Sequence, residues 1–402
     1  MSDKAAAEAQ LVARARDVAP VLAERAAQAE RDRRVSKDSD REFRDAGIYR
    51  ALQPARYGGM ELDYGVQTLI AKELAHGCAS SGWVGGILAC HGWMAGMYPD
   101  EAQAEIWGDD PDVAIATSFL PVGAEIEERG GNLRISGRWR FSSGVDHCGW
   151  AILQANVPNK EGNCPPDPVF ALVDLAECDI EDAWNSAGLA ATGSNDIVVK
   201  DADIPPHRMM RVLDLRGDET PGSAAHDSYL YRLPLYAVFS FNIIGPALGA
   251  ARGALETVIE GMTRHRPVTG ADLTRVATVH QRIGKATALL DGADAMIAQL
   301  RSEIVAKGQA ADAFEMTDRA RYRLNIGHVA QTCCAAGWKP AIPCSGHGAM
   351  FTPSPSISGW YGMFRRGCTA MSCSATAAPI RNCRTFHVLT APARFSVGRK
   401  AP

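Results

Sequence analysis

Hydrophobic and polar positions divide the chain into three stretches of different period. From residue 5 to about 112, apolar residues recur every three to four positions, as in Leu11, Val12, Ala15, Val18, Val21 and Leu22. That spacing predicts helices with one buried face. The loop "PARYGGMELD" interrupts the pattern. "SSGWVGGILACHGWMAGMYP" then predicts a buried helix, with Ser80 or Ser81 available as its cap and Pro99 beyond its end. From about 113 to 215 the period shortens to two, through "VAIATSF", "EIEERGGNLRISGRWRFSSG", "WAILQANV", "VFALVDL" and "DIVVKDADIP". Gly130–Gly131 marks a hairpin turn within these runs, which predict a compact antiparallel barrel or sandwich. Helical spacing returns after about 225, and several long helices in succession predict a bundle. The expected divisions are 1–112, 113–222 and 223–402.

Composition changes this picture little. A chain of 402 residues, 46% hydrophobic and 22% charged, has the make-up of a globular enzyme with two or three cores. A net charge of −4 gives no reason to expect nucleic acid or an anionic membrane as partner. The first residues carry no apolar secretory segment, and eleven cysteines without regular spacing read as cytosolic thiols, so a cytoplasmic location is expected. Tyr236 to Leu255 is the most apolar stretch, but it contains Asn242, Pro246 and Arg252 and reads as a buried core helix. Charge is unevenly spread. Eleven Lys or Arg and no Asp or Glu follow Asp318, about +11 against −15 before it. A basic helix pair against acidic neighbours, a site for a phosphorylated ligand, or an altered sequence would each produce this.

Two places carry candidate chemistry. "GRWRFSSGVDHCGW", residues 137–150, could be a nucleophile site, a metal site or a pocket wall. Ser142 and Ser143 also suit ordinary strand-end turn chemistry. His147 and Cys148 offer at most two adjacent ligands with no complement elsewhere, so no metal is expected, and Trp150 reads as core. The second place is His91, eight positions after Trp83 in a helix of small and apolar residues. It is either a satisfied core histidine or an acid–base group. No Gly-x-Gly-x-x-Gly opens a helix after a strand, so no nicotinamide-binding unit is visible.

Helical region, small β region and helical bundle, in that order, resemble the acyl-CoA dehydrogenase superfamily. "ALQPARYGG" before an "ELA" helix, "GLAATGSNDIVVKDADIPPHR", and Arg266 four residues before Gly270 look like its landmarks, over roughly residues 10 to 335. "SGWVGGILACHGW" together with "SGRWRFSSGVDHCGW" resembles the flavin-dependent monooxygenase branch, the oxygenase components of two-component aromatic hydroxylases. The resemblance implies an α+β fold: N-terminal helical domain, central antiparallel β-barrel and C-terminal helical bundle. It implies hydroxylation of a phenol, an indole or a polycyclic phenol with O2 and reduced FMN or FAD, through a C4a-hydroperoxyflavin. A separate flavin reductase would supply the flavin, and a homotetramer is the expected assembly. Ser143 would then accept a hydrogen bond from flavin N5–H, with Ser142 the fallback if the register slips by one. Trp83 and Phe141 would contact the flavin, and Arg266 would meet its phosphate, often across a subunit boundary. His91 would take the proton of a phenol, with Thr117 and Ser118 lining the pocket.

Two rivals follow from the same resemblance. An acyl-CoA dehydrogenase needs a carboxylate to remove the substrate α-proton. The usual C-terminal position has no acid after Asp318, and the alternative position holds Val238. An inactive assembly subunit is the other rival, because the tail departs from the family pattern. "SGHGAMFTPSP" still resembles it, but the Gln, the Arg-Asp pair and the His expected in "SISGWYGMFRRGCTAMSCSATAAPI" are absent, with Ala370 near the place of the His.

Overall fold

The apolar stripes of the N-terminal third close against one another as helices. In the computed structural model, which describes residues 3–157, 167–217, 219–264 and 272–338, these are α1 (Asp3–Asp32), α2 (Lys37–Asp45), α3 (Val66–Gly77), α4 (Ala79–Ala95) and α5 (Asp100–Trp107). Leu11, Ala15, Ala19 and Leu22 form the buried stripe of α1, which packs on α3. Every residue of α4 is buried except Trp83. Neither Ser80 nor Ser81 caps that helix. The cap position is Cys78, with no side-chain hydrogen bond, and the Ser80 hydroxyl donates instead to Glu30 of α1. A carboxylate is the stronger acceptor, and it also receives the Ala190 backbone N–H at 2.9 Å.

The alternating runs become two four-stranded sheets. The strands are β1 (Ala114–Ser118), β2 (Pro121–Arg129), β3 (Asn132–Ser142), β4 (Cys148–Val157), β5 (Asp167–Asp174), β6 (Asp179–Glu181), β7 (Asn195–Ile204) and β8 (Met209–Arg211). One sheet has the order β1-β4-β5-β8 and the other β2-β3-β7-β6. Their inner faces share a core of Ile135, Trp139, Leu153, Ala171, Ile197 and Val199. Gly130 and Gly131 turn β2 into β3 with φ of +63° and +93°, the left-handed pair that a two-residue hairpin requires. The expected antiparallel barrel needs correction: the sheets are open, and β1 pairs with β4 in parallel, Ile115 opposite Trp150. The β2–β3 hairpin belongs to the other sheet, so β4 comes back beside β1 running the same way. The three-residue strands β6 and β8 are too short to show a period of two.

Helices return as α6 (Leu235–Val238), α7 (Ile244–Arg264), α8 (Ala277–Ala310) and α9 (Met316–Trp338). The apolar stretch from Tyr236 to Leu255 is partly to fully buried but is not one helix, because a 3-10 segment, Phe239–Ile243, separates α6 from α7. Polar side chains hold that break open. Tyr64 donates to the Val238 carbonyl at 3.0 Å, Asn242 to Phe239 at 2.8 Å and Thr68 to Phe241 at 3.0 Å. Leu235–Arg264 is long and apolar enough to cross a membrane by length and composition, yet 61% of its apolar 18-residue window is buried within the protein. One continuous core joins α4, Ile115 and Trp150 of the first sheet, and Leu290, Leu300 and Val329 of the bundle. The acid-free segment is described only as far as α9, where Arg321 pairs with Glu303. The divergent block and Ala370 lie outside the described residues.

Candidate active site

α4 packs against β1 and reaches the residue that follows β3, and both candidate clusters lie along it. The end of β3 is fixed by two backbone features. Phe141 adopts φ +65° and Gly144 φ +69°, and the Gly144 N–H donates to the Thr192 carbonyl at 2.8 Å. A Cβ at Gly144 would stand 2.9 Å from Val84 of α4, so glycine is required there by both contact and conformation.

This geometry separates the two serines. Ser142 is fully enclosed, and its hydroxyl donates to the Thr117 carbonyl at 3.3 Å. Ser143 lies on the other side of the chain and keeps 9% exposure. The Trp83 indole N–H donates to its Oγ at 3.0 Å. Ser143 Oγ is also 2.8 Å from Ser194 Oγ, which is 2.7 Å from Thr192 Oγ1, which donates to the Leu189 carbonyl at 2.9 Å. Phe141 is exposed at the rim, its ring edge-on to Trp184 with centroids 5.8 Å apart and the Arg140 guanidinium 4.6 Å above it.

His91 forms the second cluster, with 1% exposure. Its Nδ1 is 2.7 Å from the Ile115 carbonyl, and its Nε2 is 2.9 Å from Thr117 Oγ1. A carbonyl only accepts, so Nδ1 carries the hydrogen, and in the neutral ring the Nε2 lone pair accepts from Thr117. Burial pushes the His91 pKa down to about 4, partly offset by the Ile115 bond, so the ring is neutral at pH 7. Thr117 retains 9% exposure, against 1% for His91. Ser118 donates to the Arg140 carbonyl at 2.6 Å. Next to it, Phe119 packs against Phe170 and Phe239, with centroids 5.3 and 5.5 Å apart.

The remaining candidates are structural or fall elsewhere. His147 Nε2 donates to the Val35 carbonyl at 3.1 Å, Cys148 lies against Gly144, and Trp150 is core under Arg208. Val238 is buried, its carbonyl held by Tyr64. Arg266 lies outside the described residues. Thr192 and Ser194 received no role from the sequence, although they flank Gly193, a left-handed residue at φ +51° just before β7. Two hydroxyls around a turn glycine were the available signal. Phe119, Phe170 and Phe239 gave none, being indistinguishable from core by pattern.

Comparison with known proteins places this arrangement. The descriptions "Acyl-CoA dehydrogenase, N-terminal domain" and "Acyl-CoA dehydrogenase, C-terminal domain" match residues 6–108 and 242–355. The FADH2-dependent resorcinol hydroxylase oxygenase component of Rhizobium sp. is 32% identical over 78% of this chain and 77% of its own length. The chain belongs to the acyl-CoA dehydrogenase superfamily, in its flavin-dependent monooxygenase branch. Another member of this branch, the flavin-dependent monooxygenase oxygenase subunit HsaA of Rhodococcus jostii, is 35% identical over 60% of this chain. That match spans 62% of the relative's length, a little under two thirds. Among solved structures, 3-HSA hydroxylase from Rhodococcus sp. RHA1 superposes with a TM-score of 0.77 at 25% identity, covering 90% of this chain and 97% of that one. That structure shares the helix–sheet–helix arrangement described above.

Proposed function

We propose that the chain is the oxygenase component of a two-component system that hydroxylates a small aromatic ring, a phenol first, with reduced flavin and O2. The observation that carries this reading is the pair of polar clusters on one helix, Trp83–Ser143 and His91–Thr117, at the ends of β3 and β1. Relatives named as resorcinol and p-hydroxyphenylacetate hydroxylases and as an indole-3-acetate monooxygenase support the substrate class. Their designation as oxygenase components supports a separate flavin reductase as partner.

The residues fit a flavin. Ser143 is the least enclosed residue of its cluster, Trp83 is the one partly exposed side chain of α4, and Phe141 keeps 41% exposure. An indole, a phenyl ring and a hydroxyl suit a flat heterocycle with polar edges. Trp83 and Phe141 would flank it, Ser143 would meet its N5, and Arg266 would take its phosphate across a subunit boundary of a homotetramer. When bound, the reduced flavin supplies the electrons that activate O2. Ser142, its hydroxyl already committed to Thr117, serves the wall instead.

Thr117 is the group a phenol would touch. Its hydroxyl hydrogen is directed to His91 Nε2, which leaves its oxygen free to accept from the substrate hydroxyl. The two would then draw charge toward the ring as a relay. His91 at about 4 is a weak base beside a phenol at about 10. The pair therefore polarises the hydroxyl through hydrogen bonding and does not hold its proton as a free imidazolium. Ser118 and the Phe119 cluster would frame the ring.

The test is direct. The purified protein is mixed with a flavin reductase, NADH and O2, and phenols and indole are screened for oxygenated products. Product that requires both proteins, with no NADH consumed by this chain alone, is expected. Oxidation of an acyl-CoA thioester without oxygen insertion would overturn the reading.

A further inference from the structure

The hydroxyls of Ser143, Ser194 and Thr192 make three oxygen–oxygen contacts in a row, at 2.8, 2.7 and 2.9 Å, the last to the Leu189 carbonyl. Each contact at this distance needs one hydrogen between its oxygens. Three hydroxyls supply three hydrogens and the carbonyl supplies none, so only one arrangement fills every contact. Thr192 donates to Leu189, Ser194 donates to Thr192, and Ser143 donates to Ser194. The indole of Trp83, a donor only, takes one lone pair of Ser143 from the other side. Ser143 is left with a single free lone pair, and at 9% exposure it is the least enclosed residue of the row.

We infer that Ser194 and Thr192 are positioning residues that lock Ser143 as a hydrogen-bond acceptor toward the flavin and thereby make the site selective for its oxidation state. This rests on the flavin reading above. Reduced flavin carries a hydrogen on N5 and donates to Ser143. Oxidised flavin presents an N5 lone pair there, which meets a second lone pair. The row lies in a buried segment, with Thr192 and Ser194 at 1% and 0% exposure, so water cannot replace a missing partner cheaply. Its anchor is rigid, since Leu189 also accepts from the Trp184 indole at 3.0 Å and the turn is tied to β3 through Gly144.

Thr192→Val keeps the shape but removes the acceptor for Ser194. Ser194 can then turn to donate to Ser143, whose hydrogen swings into the cleft. Thr192→Ser keeps the row. FMN and FAD are titrated into the full chain by calorimetry, oxidised in air and dithionite-reduced without oxygen, and the ratio of the two dissociation constants is taken. The parent should favour the reduced form. Thr192→Val should lower that ratio about fivefold, the worth of one hydrogen bond, and Thr192→Ser should restore it. A merely structural role would weaken both oxidation states alike and leave the ratio where it was. An unchanged ratio in Thr192→Val, or an equal fall in Thr192→Ser, would overturn the inference while the flavin reading stands. Failure of the parent chain to bind either form of flavin would remove both.

Discussion

Near its start α4 sends Trp83, its one partly exposed side chain, to Ser143; two turns later it sends His91, almost wholly enclosed, to Thr117 and Ile115. The first cluster is a row of neutral hydroxyls that never needs to change charge. The second contains a titratable ring whose burial costs it basicity. In both, a more deeply buried partner sets which way a hydroxyl at 9% exposure points. Ser194 turns Ser143, and His91 turns Thr117. In the proposed reading the conspicuous histidine stands behind a threonine, and the threonine is the group a substrate would touch.

That contrast can be broken first at the imidazole. His91→Ala should lower hydroxylation of a neutral phenol by about 100-fold, the low end for loss of general-base assistance, because the ring polarises without taking the proton outright. Thr117→Val should cost a comparable factor, and the double variant little more, since residues of one relay act as a unit. Raising the pH toward about 10 should partly rescue each by supplying phenolate. Additive losses measured in steady-state assays would show that the two residues act separately.

Acid titration sharpens the same contrast through stability. His91 is neutral in the folded chain down to about pH 4, whereas an unfolded histidine binds its proton near 6.5. Unfolding therefore takes up a proton in this window, and stability falls as the pH drops from about 6.5 to about 4, by up to about 3 kcal/mol from this group. The His226 pKa is also lowered, chiefly by burial, and contributes in the same direction. His91→Gln should flatten the slope of denaturation midpoint against pH across that range, while Ser143→Ala should leave it as it is. An unaltered slope in His91→Gln would mean that the imidazole is not sealed from water.

Much of the frame was legible because each part has its own period. The helical spacing of Leu11 to Leu22, the Gly130–Gly131 hairpin and the all-apolar α4 all follow from local pattern. What local pattern could not give was pairing. Parallel alignment of β1 with β4 depends on the intervening hairpin joining the other sheet. The break at Phe239–Ile243 depends on Tyr64 and Thr68, more than 170 residues away in the chain. Ser80 read as a cap because Glu30 could not be seen beside it. At the site, His91 and Thr117 were both visible as residue types, but not the bond that joins them across 26 positions. The preference for Ser143 over Ser142 came from resemblance alone; local pattern could not show that β3 ends at Ser142, with Ser143 just beyond it bonded to Trp83 and Ser194.

The division of labour between the two clusters is tested most directly without any aromatic substrate. Reduced flavin bound to the protein is mixed once with O2, and the rate of hydrogen peroxide release is followed in the parent, Ser143→Ala and His91→Ala. Loss of one accepted hydrogen bond at Ser143 should speed peroxide release about fivefold. His91→Ala should release it at the parent rate, because in the proposed reading the imidazole would act only on the substrate hydroxyl. Equal acceleration in both variants, or in His91→Ala alone, would contradict the assignment of the hydroxyl row to the flavin and the imidazole to the ring.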